Sequence, residues 1–376
     1  MSFLGRQGNV RIERGMMMSQ KLKVGIIGGT GMVGQRFVTL LYDHPWFEIV
    51  LVAASPRSAG KTYYEAVQGR WAQDIVIPES VGNLVVVSAL EVEKIAEQVD
   101  FVFCAVDMNK QEIKELEERY AMAEVPVISN NSAHRGTKDV PMVIPEINNE
   151  HFEVIPAQKL RLGTQKGFIA VKPNCSIQSY VPALDALKEF GPKDISVCTY
   201  QAISGAGKTF ETWPEMVDNV TPFIGGEEEK SENEPLKVWG KVVNGEIVDA
   251  VEPLISAQCI RVPVQDGHMA AVFVNFENKP SKEKAIELWN NYTGRPQELE
   301  LPLAPKQFIK YMEEDDRPQT RLDRNFERGM GVTVGRLRED KQYDYKFVCL
   351  SHNTLRGAAG GAVLIAELLK AEGYLY

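Results

Sequence analysis

The chemistry this chain could perform rests on one cysteine, one histidine and a few cations placed beside glycine-rich turns. Cys175 stands in Val171-Lys172-Pro173-Asn174-Cys175-Ser176. The apolar run from Gly167 to Val171 reads as a buried strand. Residues 176–189 read as a helix, with Ile177, Tyr180, Val181, Leu184 and Leu187 on one face. A thiol at such a turn faces the positive end of a helix, which lowers its pKa and favours thiolate. Burial statistics alone, however, make a solitary cysteine more often a core thiol.

Two other stretches could serve a thiolate. Tyr200-Gln201-Ala202-Ile203-Ser204-Gly205 ends a strand in a glycine-rich loop. Arg261 and His268 fall on two runs joined by Gln265-Asp266-Gly267, which reads as a hairpin connection. On that reading they sit on adjacent strands and face one pocket; equally, they are a surface arginine and a structural histidine. Arg135 closes the polar stretch Ser129-Asn130-Asn131-Ser132-Ala133-His134-Arg135 at the carboxyl end of a strand, the edge where open α/β sheets bind ligands. It is a candidate anion binder, with a plain surface arginine as the alternative.

The elements that must position these groups begin at Lys21. KLKVGIIG is a short β-branched strand, followed by Gly28-Gly29-Thr30-Gly31-Met32-Val33-Gly34 and a helical pattern through Phe37, Leu40 and Leu41. Gly29-x-Gly31-x-x-Gly34 between strand and helix matches a dinucleotide fingerprint, in which glycines let the backbone approach a pyrophosphate at a helix N-terminus. The next strand ends at Ala54 without the carboxylate an NAD ribose requires. Ser55, Arg57, Ser58 and Lys61 follow instead, and hydroxyls with an arginine fork suit a 2′-phosphate, hence NADP.

A βαβ rhythm continues, with strands at 83–87, 100–106 and 125–129 and helices at 91–98 and 109–121. This is a Rossmann-type doubly wound parallel sheet. Beyond Cys175 longer strands appear at 194–203, 254–264, 267–276, 332–337 and 346–351, with one covering helix at 282–291. That is an α+β second domain on a mostly antiparallel sheet. Residues 219–234 read as an insertion-like loop, and Glu227-Glu228-Glu229 within it as solvated surface. The last helical pattern, 353–372, opens on Asn353-Thr354 and carries Gly357-Ala358-Ala359-Gly360-Gly361; it is expected to return to the first domain. The expected division is a disordered tail over 1–20, a nucleotide domain over 21–174 and 352–376, and a substrate domain over 175–351.

Bulk properties narrow the function. The chain has 376 residues and a formal net charge of −9, which disfavours nucleic acid and anionic membranes as partners. No apolar run has the length of a membrane span. The other cysteines, Cys104, Cys198, Cys259 and Cys349, lie in apolar runs and read as core thiols of a reduced, cytoplasmic protein. The five histidines show no metal-ligand spacing, so no metal is expected. A reactive thiol, a histidine titrating near neutrality, an anion-binding arginine and a dinucleotide describe one chemistry. The thiolate attacks a carbonyl, a thioester forms, and hydride moves to or from nicotinamide.

GGTGMVG, SNNSAHR, KPNCS, TYQAISGAG, EPLK (234–237), RVPVQDGH and NTLRGAAG, in this order, closely resemble the aspartate-β-semialdehyde dehydrogenase family, and its archaeal and fungal branch most of all. The resemblance runs from Lys21 to the C-terminus. It implies NADP-dependent, reversible reductive dephosphorylation of L-4-aspartyl phosphate to L-aspartate 4-semialdehyde, on the route to lysine, threonine, methionine and isoleucine. It implies Cys175 as nucleophile, His268 as general acid/base and Gln201 as the residue orienting the acyl group. Arg261 would hold the substrate carboxylate, Glu234 its amino group, and Arg135, Lys237 and Asn130 or Asn131 its phosphate. Gly28, Thr30, Gly31, Met32, Val33 and Gly34 would hold the pyrophosphate, Ser55, Arg57 and Ser58 the 2′-phosphate, and Asn353 the nicotinamide. A homodimer or homotetramer is implied too. Malonyl-CoA reductase and N-acetyl-γ-glutamyl-phosphate reductase share the scaffold and remain alternatives, as does a non-catalytic NADP-binding sensor.

Overall fold

The computed structural model describes residues 20–376; the expected tail lies outside them but for its last residue. Six strands form the first sheet: β1 (Leu22–Ile27), β2 (Phe47–Ala54), β3 (Val87–Ser88), β4 (Phe101–Cys104), β5 (Val127–Ser129) and β6 (Ile169–Val171). Their order is β3-β2-β1-β4-β5-β6, and every neighbouring pair is parallel. Helices cover both faces, so β4, β5 and β6 are buried along their whole length and read as unbroken apolar runs. The order reverses between β1 and β4, which opens a crevice at their carboxyl ends. The third strand is shorter than the pattern at 83–87 predicts, because only Val87 and Ser88 pair with β2.

The second sheet holds β7 (Pro192–Gln201), β10 (Leu254–Arg261), β11 (His268–Phe276), β12 (Ile309–Met312), β13 (Val332–Glu339) and β14 (Tyr345–Ser351) in the order β10-β7-β11-β14-β13-β12. A small hairpin of β8 (Lys241–Val243) and β9 (Glu246–Val248) stands apart. The three inner pairings are antiparallel and the two outer ones parallel. The expected hairpin between Arg261 and His268 does not form, because β7 inserts between β10 and β11.

Two local expectations also change. Residues 176–189 are not one helix. A 3-10 turn at Ser176–Gln178 precedes a short helix, Tyr180–Asp185, since Pro182 has no N–H to donate to Gln178. The supposed loop over 219–234 is helical in its second half, Glu227–Val238, and its three leading acids lie in the first turn, where the helix dipole favours negative charge.

The chain ends in the helix Gly360–Ala371, buried at every position from Gly360 to Leu369. It packs against the helix Met32–Leu41 and against β5, joining the first sheet's apolar cluster. Just before it, Arg356 pairs with Glu146 at 2.8 Å, both side chains fully buried. No helix among the described residues is long and apolar enough to cross a membrane.

Candidate active site

The carboxyl ends of β10 and β7 and the amino end of the antiparallel β11 build one wall. Arg261 on β10 is in register with Gln201 on β7, and His268 opens β11 one position beyond the Tyr200–Met269 pair. Arg261, Gln201 and His268 therefore form a row across the sheet, all buried. Residues 167–175 supply the opposite wall, and Cys175 Sγ lies 3.5 Å from His268 Nε2. The C-terminal segment closes in behind: a Cβ on Gly357 would stand 2.8 Å from the Cβ of Cys175.

The hydrogen bonds fix the histidine. Ala202 N–H donates to His268 Nδ1 at 3.0 Å, so the neutral ring carries its proton on Nε2, facing the sulfur. In that tautomer His268 donates to Cys175 and does not take a proton from it. Burial pushes its pKa down to about 3, with Arg261 adding to the depression, below the near-neutral value expected. The thiol differs from expectation as well. Burial raises the Cys175 pKa and Glu227 raises it further, while Lys172, Arg135 and Arg261 pull the other way. The helix after it is too short and too late to dominate, and Ser176 N–H is already donated to Asn174 Oδ1 at 2.7 Å.

A cavity of about 270 Å³ opens over Cys175, lined also by Asn130, Arg135, Lys172, Glu227 and Lys230. Asn130 has both side-chain polar atoms buried without a partner. Asn131 turns away, its amide donating to Glu117 at 3.2 Å. Arg135 pairs with Glu234 at 2.9 Å and donates to Asn130 O at 3.0 Å. Arg261 donates to Ala202 O at 2.7 Å, leaving its remaining donors for a ligand. Asn353 lines the same cavity and is held by Gly267 N–H and Ser204 Oγ, each at 2.8 Å.

Glu227 and Lys230 are the residues sequence reasoning missed. Glu227 is 8% exposed. Its carboxylate accepts from Asn174 Nδ2 at 3.0 Å, Gln201 Nε2 at 3.2 Å and Lys230 Nζ at 2.8 Å. The surface reading of the acid run fails for this residue. Lys237, expected to bind phosphate, donates instead to the carbonyls of Arg135 and Thr137 at 2.7 Å and of Val140 at 3.1 Å. Glu234 is likewise engaged, by Arg135 and by Asn174 N–H. The helix holding both pairs offers a signal that could have found them. Glu-x-x-Lys occurs at 227–230 and again at 234–237, seven residues apart and so on one face.

A second cavity, of about 300 Å³, lies at the reversal of the first sheet, lined by Gly28, Thr30, Gly31, Ser55, Arg57 and the loop after β4. Gly28 has φ +88°, and a Cβ there would meet Ala105 O at 2.4 Å. A Cβ on Gly34 would meet Gly28 O at 2.3 Å. Glycine is therefore required at both positions, and the bare backbone suits a pyrophosphate. Met32 and Val33 begin the helix that follows, and Val33 also lines the Cys175 cavity, which links the two. Ser58 is buried beneath the turn, its N–H donated to Ser55 O at 2.9 Å. Cys104, Cys259 and Cys349 are buried and Cys198 partly so; all are unpaired.

Known proteins resemble this chain in sequence and fold. The semialdehyde dehydrogenase NAD binding domain matches residues 23–155, and the semialdehyde dehydrogenase dimerisation domain matches residues 182–356. Aspartate-semialdehyde dehydrogenase of Aspergillus fumigatus is 41% identical over 364 residues, covering 94% of this chain and 99% of the relative. That of Archaeoglobus fulgidus is 42% identical over 352 residues, with the same coverage. The chain belongs to the aspartate-semialdehyde dehydrogenase family. The solved structure of aspartate semialdehyde dehydrogenase with NADP from Candida albicans superposes with a TM-score of 0.84 at 39% identity, covering 94% of this chain and all of that one. Aspartate-semialdehyde dehydrogenases are oxidoreductases of amino-acid biosynthesis, and this chain carries both of the family's domains.

Proposed function

We propose that Cys175 is the nucleophile of an NADP-dependent aspartate-semialdehyde dehydrogenase that interconverts L-4-aspartyl phosphate and L-aspartate 4-semialdehyde. The observation carrying this reading is the Cys175 sulfur against His268 Nε2, at the floor of a cavity edged by Arg135, Lys230 and Glu227. Cys175 thiolate attacks the acyl carbon, the C–O bond to phosphate breaks, and a thioester forms on the sulfur. Arg135 and Lys230 hold the departing phosphate, and Arg261 holds the substrate carboxylate. Glu227, not Glu234, faces the substrate's ammonium, and Gln201 orients the acyl group. Bound NADPH supplies the hydride that reduces the thioester carbon. His268 Nε2–H donates to the oxyanion that develops there, and the C–S bond then breaks to return the thiolate.

The glycine turn at Gly28–Gly34 receives the pyrophosphate, with Thr30, Met32 and Val33 around it. Ser55, Arg57 and Ser58 mark the 2′-phosphate end and Asn353 the nicotinamide end. The absence of a carboxylate after β2 favours NADP over NAD. The nucleotide unit comprises residues 21–174 and 352–376 and the substrate unit residues 175–351. The protein works as a homodimer or homotetramer on small cytoplasmic metabolites.

Cys175→Ala tests the reading. NADPH formation from aspartate semialdehyde plus phosphate is expected to vanish while NADP binding stays near that of the parent. Substantial residual turnover would refute the nucleophile, and preferential oxidation of NADPH with malonyl-CoA would refute the substrate.

A further inference from the structure

We infer that Lys172 is the counter-ion of the Cys175 thiolate, a role that rests on the nucleophile proposed above. Lys172 follows β6 and precedes Cys175 by three residues. It is 2% exposed and lines the same cavity. Its backbone N–H donates to Ser129 O at 2.9 Å, and its ammonium donates to the Pro173 carbonyl. The C-terminal segment is shaped around this pair. A Cβ on Gly361 would stand 3.1 Å from Lys172 Cδ, and one on Gly357, four residues earlier, 2.8 Å from Cys175 Cβ.

The carboxylates around Lys172 already have cations. Glu234 is taken by Arg135, Glu227 by Lys230 and Glu146 by Arg356. Lys172 forms no ion pair among the described residues, and a buried cation without an anion is costly. A thiolate at Cys175 is the matching uncompensated anion. His268 cannot neutralise it as an imidazolium, because its Nδ1 accepts the Ala202 N–H and has no room for a proton. Arg261 also favours the thiolate, but it comes after Lys172 and has one donor fixed on Ala202 O at 2.7 Å.

The titration tendencies agree. Burial, then Arg135, pulls the Lys172 amine down to about 7; Cys175 and Glu234 pull it up, and Arg356 pulls it down again. On Cys175, burial and Glu227 oppose the thiolate, and Lys172 comes first among the cations that favour it, before Arg135 and Arg261. Lys172 is thus a positioning residue that acts through the nucleophile.

The test is the pH profile of Cys175 alkylation by iodoacetamide, read by peptide mass on enzyme free of substrates, in the parent and in Lys172→Met. Loss of the counter-ion is expected to move the midpoint up by about one unit, so that alkylation near neutral pH slows about tenfold. An unchanged midpoint in a variant that still binds NADP overturns the inference. A second measurement needs no substitution at 172. Competitive acylation of Lys172 is compared between the parent and Cys175→Ala. Coupling is reciprocal, so loss of the anion should lower the amine pKa and speed labelling several-fold near neutral pH; equal labelling overturns the pairing. If Cys175 in the parent resists alkylation at every pH, the nucleophile assignment itself falls, an outcome distinct from both.

Discussion

Glu227 and Glu234 have the same sequence neighbourhood and different fates. Each leads a Glu-x-x-Lys on one helix, yet Glu227 and Lys230 edge the Cys175 cavity while Lys237 is wrapped by three carbonyls. The substitutions should separate accordingly. Glu227→Gln should raise KM for aspartate semialdehyde by roughly 10- to 100-fold, the worth of one hydrogen bond to a charged group, with little change in Tm. Lys237→Met should do the reverse, lowering stability by about 1–3 kcal/mol as buried carbonyls lose their donor while the folded enzyme keeps its KM. Matching steady-state kinetics and thermal melts on both variants would decide it; a KM effect confined to Lys237→Met would reverse the assignment. Gln201, Arg261 and His268 were legible as ends or starts of extended runs, and Cys175 as the thiol of a Pro-Asn turn after an apolar run; the family motifs then supplied their roles. The helix pair was not legible, since positions seven apart share a face and sequence alone cannot say which turn reaches the cavity. The tautomer of His268 was equally hidden, being set by a backbone N–H sixty-six residues away.

At the scale of elements, the site depends on β7 lying between β10 and β11. The Arg261–His268 connection looked like a hairpin because two extended runs flank a Gly-containing turn. The preference of β10 for a parallel register with β7 overrides that local signal. A strand order of this kind is decided by long-range pairing, which periodicity does not report. Parallel β4, β5 and β6 were legible, because strands buried on both faces read as unbroken apolar runs. The glycines before the last helix make a further prediction. Gly357→Ala places a methyl against Cys175, and the nucleophile or the segment must shift. The expected result is a kcat reduced by at least about tenfold, because sub-ångström misplacement of a reacting group is costly, with NADP binding unchanged. A parent-like kcat would show that the segment yields freely and does not shape the site.

For the whole molecule, buried histidines link stability to acidity. Burial holds His134 down to about 4, His268 to about 3 and His352 to about 4, all below the ordinary imidazole value of 6.5, and lowers His151 too. The folded protein therefore takes up these protons later than the unfolded chain does. Their contribution is complete above the unfolded value, and it is lost as pH falls from there towards about 4. Thermal melts should be level with respect to these groups between about pH 7 and 8 and decline steadily below about 6.5; a Tm unchanged down to about pH 5 would contradict this. The two-sheet plan was readable from the change of rhythm after Cys175, whereas the buried Arg356–Glu146 pair that ties residues 141–146 to the chain's end was not. That tie and the helix behind it have a consequence for how the protein is made. The apolar cluster that holds Val24, Ile26, Phe101 and Phe103 also takes in Ala362, Val363, Ile365 and Leu369 of the last helix. The early strands therefore wait for a segment that lies far later in the chain. A nascent or truncated chain lacking residues 360–376 leaves that apolar cluster open to water.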